Sequence, residues 1–374
     1  MKQAIINRNK EDINNFIDYL KDTDNWSFHS QLDQLMPIML MESNLTYGSF
    51  HFIKMVLFFK NLADQNLITK KTQRKLLKLL ALNLSERHWT NIKAGHTGYK
   101  ADNVSDKTVD KFISELNKNN SHNAFYLSLG LMEHDPDQLC QLLLKLGAQS
   151  VPDTLGHSVS CYFPVVKEII HSQHPEKATA LLSYVMYLNR SNYDKIPETD
   201  GKLPKDSGNL LKRCASGSGI VNLHHMITYF IFNEWENAKF NQDNQIPFTI
   251  FKDWLGDKEI DKKLEKKIKN KKSSATLPES FEEFNNKFSP ENLEEIEDAI
   301  YMFIETLEND HKSAVDWIFR AYTTYYTPDW DPHYFTSIYA ALQLYLNSDN
   351  KDKIPEKMAI YQAINYFFTS KLSS

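Results

Sequence analysis

Apolar residues recur at steps of three and four along most of this chain, whereas the strict alternation of a half-buried strand is scarce. That period puts the apolar side chains on one face of successive helices, and such faces leave water only by packing helix against helix. With 374 residues the chain is long enough for a large buried core, built as one helical array or as two closely packed halves. Only 11 glycines are present, well below average usage, which disfavours turn-rich β architectures. The expected fold is therefore all-α, a large multi-helix bundle or array without significant β-sheet. One domain is expected over residues 1–374, with a charged flexible segment at about residues 253–289.

Local signals place many helix ends. Asp135-Pro136 reads as an N-cap followed by proline at the first helical position, and Gly147 as the close of that helix. Asp153 or Thr154 starts a helix reaching about Ile170, with Pro164 inside it as an expected kink. Ser289-Pro290-Glu291 opens a helix to Glu308, followed by helices at His311–Thr324, Pro332–Leu346 and Pro355–Phe368. Lys271-Lys272-Ser273-Ser274 reads as a flexible connector, and Trp89–Asn103 as a loop.

The formal charge of −5 gives no global attraction to nucleic acid or to an anionic membrane. Cys140, Cys161 and Cys214 are scattered, without CxxC spacing, and indicate neither a disulfide framework nor a zinc finger. No signal-peptide core and no stretch of 18 uncharged apolar residues occurs, so a cytoplasmic protein that does not span a membrane is expected. Gly-rich nucleotide fingerprints, the H-E-x-x-H zinc motif and the serine elbow are also missing.

Histidine placement is the informative feature. His51, His157, His224, His225 and His311 interrupt or begin apolar helical stretches, where an unpaired imidazole is costly. Three or four imidazoles brought together from neighbouring helices can hold Fe, Mn or Zn with a position open to dioxygen, water or substrate. For each one taken singly, a hydrogen-bonded core histidine is the commoner outcome.

From about residue 28 to residue 346 the order of motifs resembles the questin oxidase-like family. Phe50-His51 followed by Met55-Val56-Leu57 is similar to the family's early histidine helix, and His157-Ser158-Val159-Ser160 through Val165-Val166-Lys167 to its second segment. His224-His225-Met226-Ile227-Thr228 resembles a Leu-His-x-Val-Thr segment, with His225 at the motif histidine. Asp310-His311 through Tyr326, Pro328-Asp329-Trp330-Asp331-Pro332 and Ala340-Ala341 resemble the family's last motifs.

The resemblance implies oxidation of polycyclic aromatic substrates, anthraquinones in particular, by a non-haem iron-type oxygenase that uses histidines and a carboxylated lysine. His51, His157, His225 and His311 are then the implied metal ligands, and Tyr322, Tyr325, Tyr326 and Trp330 the implied pocket for a small aromatic molecule. The chain departs from the family at Ala314, which stands where the lysine of the last motif is expected, so any carboxylate ligand has to come from elsewhere, for example Asp316. That departure keeps a second reading open, a non-catalytic helical binding or interaction protein on the same scaffold. An NADPH-dependent Baeyer–Villiger-type monooxygenase is a third, weakened by the missing dinucleotide fingerprint.

Overall fold

The computed structural model describes residues 1–23, 25–40, 47–86, 104–105, 107–173, 177–193, 207–237, 245–270, 277–278, 292–324 and 331–372. Among them it contains 19 α-helices, one π-helical turn and no strand. In chain order these are α1 (Lys2–Ile6), α2 (Lys10–Tyr19), α3 (Phe28–Leu40), α4 (Tyr47–Asp64), α5 (Lys70–Glu86), α6 (Thr108–Asn117), α7 (Ser121–His134), α8 (Pro136–Gln149) and α9 (Val151–Thr154). The π-helical turn (Ser158–Tyr162) follows, then α10 (Phe163–Ile170), α11 (Lys177–Leu188), α12 (Ser207–Cys214), α13 (Ile220–Asn237), α14 (Gln245–Leu255) and α15 (Lys262–Asn270). The described chain ends with α16 (Leu293–Asn309), α17 (His311–Thr324), α18 (His333–Asn347) and α19 (Ile354–Leu372).

The helical fold expected from the period of the apolar residues is what the chain adopts. A helix apolar on one face lies at the surface, and one apolar all round lies inside. Three helices are of the second kind: α4 is buried continuously from Phe50 to Val56, α13 from Leu223 to Phe232 and α18 from His333 to Tyr345. Helices α4 and α18 pack against each other, and α13 packs on α18, so three long helices form the centre of the body. The apolar core built around them runs from Ala4 to Phe368.

Asp135 caps α8 as its sequence indicates, its carboxylate accepting from the Gln138 amide at 2.9 Å. Gly147 does not close that helix. It lies inside α8, where the Tyr184 side chain from α11 leaves no room for a Cβ. The single helix expected between Asp153 and Ile170 is also broken differently. Leu155 (φ 51) and Gly156 (φ +76) take left-handed conformations, the backbone resumes as a π-turn, and Pro164, which has no N–H to donate, comes just after that turn, in the first turn of α10. Of the charged stretch at residues 253–289, residues 262–270 form α15, while Lys271-Lys272-Ser273-Ser274 lies outside the described residues. Trp89–Asn103 and Ser289-Pro290-Glu291 lie outside them as well.

A four-histidine candidate metal centre

Four elements each deliver one imidazole to the same point. His51 comes from the first half of α4, His157 from the residue preceding the π-turn, His224 from the first half of α13 and His333 from the start of α18. One ligand nitrogen from each lies within 4.8 Å of the other three. None of the four residues is more than 8% exposed, so solvent is excluded from the cluster.

The outer ring nitrogens fix which way these rings face. Nδ1 of His157 lies 2.7 Å from the Thr154 carbonyl, and Nδ1 of His224 lies 2.8 Å from the Ile220 carbonyl. A carbonyl accepts only, so both rings carry their proton on Nδ1 and turn a lone pair inward on Nε2. Nδ1 of His333 meets the Asp331 carboxylate at 2.5 Å, and Tyr366 donates to the second oxygen of Asp331 at 2.8 Å. Nδ1 of His51 lies 3.0 Å from Sγ of Cys161.

Lone pairs therefore converge. Nε2 of His157 and His224 are 3.0 Å apart, those of His224 and His333 3.1 Å, and those of His51 and His333 3.2 Å. Neutral imidazoles with outward-facing protons, as in His157 and His224, cannot hydrogen-bond to one another through Nε2, and the four nitrogens could hold a metal ion between them. Ligands ~2.1 Å from one ion and ~90–109° apart are separated by ~3.0–3.4 Å, which these spacings match. Each imidazole is held from behind, and the Asp331–His333 pair is the carboxylate–histidine arrangement that orients metal ligands.

The electrostatics suit a cation that binds neutral nitrogen. Burial lowers the His157 pKa to about 4, assisted by the His333 and Lys54 charges and opposed by the bond to Thr154. Burial lowers His224 to about 2, with His333, His157 and Lys54 contributing in the same direction. For Asp331 burial works upward, but the bonds and charge of His333 outweigh it and leave the carboxyl below its usual range. Burial pushes the Cys161 thiol up to about 12, with Lys54 partly opposing, so the partner of His51 remains a thiol.

No protein-family model, curated protein or solved structure matches the chain.

The four residues implied by the resemblance are divided by the fold. His51 and His157 lie in the cluster. His225 and His311 lie outside it, and His224 and His333 stand there instead. Consecutive residues on a helix diverge by ~100°, so with His224 turned inward His225 faces α14, its ring against Trp254 at 4.4 Å between centroids. His311 is exposed at the first position of α17. Asp316 is engaged elsewhere, accepting from the Thr69 amide at 2.6 Å, and Ala314 is fully buried in the core. Tyr322 is buried and stacked on Phe367 at 3.8 Å, whereas Tyr325, Tyr326 and Trp330 lie outside the described residues.

His333 carried one signal in the sequence, the Asp331-Pro332 pair before it, which places a carboxylate two residues from a histidine at a helix start. Lys54 carried another, a lone cation in the apolar run of α4 and one turn beyond His51. Its ammonium is fully buried and donates to the Ser160 carbonyl at 2.9 Å. Burial lowers its pKa to about 8, with Cys161 and Asp331 pulling the other way. Ser160 and Ser337, three and four residues beyond His157 and His333, are buried with hydroxyls that have no hydrogen-bond partner among the described residues. Further along these helices Phe58, Phe163, Phe230 and Tyr339, together with the charged Lys167 and Glu168, line a cleft of about 150 Å³. The centre thus gives way to a polar layer and then to an aromatic one, where Phe58 stacks on Tyr339 at 3.9 Å.

Proposed function

We propose that this protein is a metal-dependent oxidoreductase of the non-haem iron type, in which His51, His157, His224 and His333 hold the ion. The convergence of four Nε2 atoms carries the reading. Four neutral ligands favour a divalent first-row ion of borderline softness, and iron is the member that supplies redox chemistry with dioxygen as oxidant. The family resemblance supports the choice of oxidation and of a polycyclic aromatic, quinone-like substrate.

The chain's own residues support the substrate class further. Neutral imidazoles leave the charge of a dication uncompensated except by Asp331, and Lys54 adds a second positive charge beside it, which favours an anionic or strongly electron-donating oxygen on the incoming molecule. Lys54, Ser160 and Ser337 offer hydrogen bonds to such oxygens. The aromatic layer offers flat apolar surface to fused rings. Hydroxyanthraquinones combine both features.

The test is dioxygen uptake by protein loaded with ferrous iron and supplied with a hydroxyanthraquinone. Uptake coupled to loss of the quinone, and abolished in His224→Ala, is the expected result. No uptake by fully iron-loaded protein across a panel of such quinones would remove the oxygenase reading and leave the metal centre standing.

A further inference from the structure

A second cavity, of about 500 Å³, opens away from the metal centre between α2, α5 and the end of α17. Ile17, Asp18 and Lys21 come from α2, and Thr323 and Thr324 from α17. Helix α5 contributes Lys71, Arg74, Lys75 and Lys78, whose spacing of three, four and seven places them on one helix face. None of these three helices carries a histidine of the centre, so the two sites are built independently.

The charge of this cavity is concentrated and largely uncompensated. Five cations face one carboxylate, in a chain whose overall charge is −5. That carboxylate, Asp18, is held by Lys21 at 2.6 Å. Among the described residues no carboxylate pairs with Lys71, Arg74, Lys75 or Lys78. Arg74 reaches the Leu20 carbonyl at 3.4 Å and Lys75 the Thr324 hydroxyl at 3.3 Å, contacts that hold both side chains at the cavity without neutralising them. Burial lowers the pKa of Lys75, and the nearby Lys71 and Arg320 lower it further against the pull of Asp316. Like charges crowded this way raise the free energy of the empty cavity and favour an anion within it.

We infer that this cavity binds a phosphorylated small molecule, its phosphate groups between Arg74, Lys75 and the exposed Lys71 and Lys78. An arginine fork with adjacent ammonium groups suits phosphate oxygens, each bond being charge-assisted. Ile17, Leu79 and Leu82 provide an apolar wall for the rest of the ligand. The volume is that of a single small-molecule site, and the concave shape does not suit an extended polyanion.

Calorimetric titration of the full chain with sodium pyrophosphate, at ionic strength balanced with sodium chloride, tests this. Saturable binding at one site is expected, weakened at least tenfold in the double variant Arg74→Gln/Lys75→Gln. A second double variant, Lys71→Gln/Lys78→Gln, changes only exposed side chains and should weaken binding in the same direction if the first does not fold. Adenosine monophosphate should compete with pyrophosphate for the same site. Absence of saturable pyrophosphate binding at millimolar concentration, or affinity unchanged in a folded double variant, would overturn the inference, as would binding confined to long polyanions such as heparin.

Discussion

Nε2 of His157 lies 3.0 Å from Nε2 of His224, while each ring is tied through Nδ1 to a carbonyl of its own segment. Two lone pairs are thereby directed at each other inside a body that excludes water. A shared cation removes the repulsion, and the metal reading rests on that relation.

Ligand identity is the first consequence. His224→Ala and His333→Ala should reduce bound metal from one equivalent to below about a tenth, since three imidazoles with an unsupported vacancy bind far more weakly. His225→Ala and His311→Ala should retain it. Metal analysis of the four variants, purified alike, checks the assignment, and retention in His333→Ala with loss in His311→Ala would reverse it.

Asp331 orients His333 without itself being a ligand. Asp331→Asn keeps the shape but loses the charge, and should weaken metal affinity ten- to hundredfold. Competition with a chelator measures the change. Equal affinity in variant and parent would show that the carboxylate serves only α18.

Lys54 places a positive charge beside a site built for another. Lys54→Met should tighten binding of a divalent ion several-fold and leave the apo fold as stable or more so, because a buried cation with no carboxylate at bonding distance among the described residues is replaced by an apolar chain of similar length. Thermal melts with and without metal read both effects. Weaker metal binding in a folded Lys54→Met protein would contradict the electrostatic account.

The pH dependence has a fixed sign. His157 and His225 have folded pKa values of about 4, below the unfolded value near 6.5. Between these values the unfolded chain binds more protons, so stability of the apo protein is full above about pH 6.5 and falls as pH drops toward 4. Each such group contributes a slope of up to about 1.4 kcal/mol per pH unit in that window. Denaturant melts from pH 8 to pH 4 should show this loss, and a flat profile would mean that these imidazoles are not held neutral by burial.

Gly156 joins α9 to the π-turn at φ +76, and a Cβ there would stand 2.6 Å from Oγ1 of Thr228. Gly156→Ala should destabilise the protein by about 1–3 kcal/mol and displace His157 from the cluster. Loss of metal along with a lowered melting temperature is the expected pairing. An alanine variant of parental stability would show that the backbone can relax without moving the histidine.

The helical class was legible because burial on one side of a helix leaves a repeating trace in sequence, as along α4 and α18. Two of the four histidines were legible for the same reason, His51 and His157 standing inside apolar runs. The choice between His224 and His225 was not, because it turns on which face of α13 meets α18 rather than on residue type. His333 was hidden at a helix start, where its spacing from Asp331 matters and its apolar context does not. Lys54 left no distinct trace, since lysine in a helix is ordinarily a surface residue. The π-turn left no periodic trace, since it alters the path of five residues between segments that each read as helix.

The most direct test of the centre is an anomalous-difference map from crystals of protein grown in iron-supplemented medium. The account predicts one peak enclosed by the Nε2 atoms of His51, His157, His224 and His333. A metal-free map showing the four rings turned apart, or a peak elsewhere in the molecule, would contradict it.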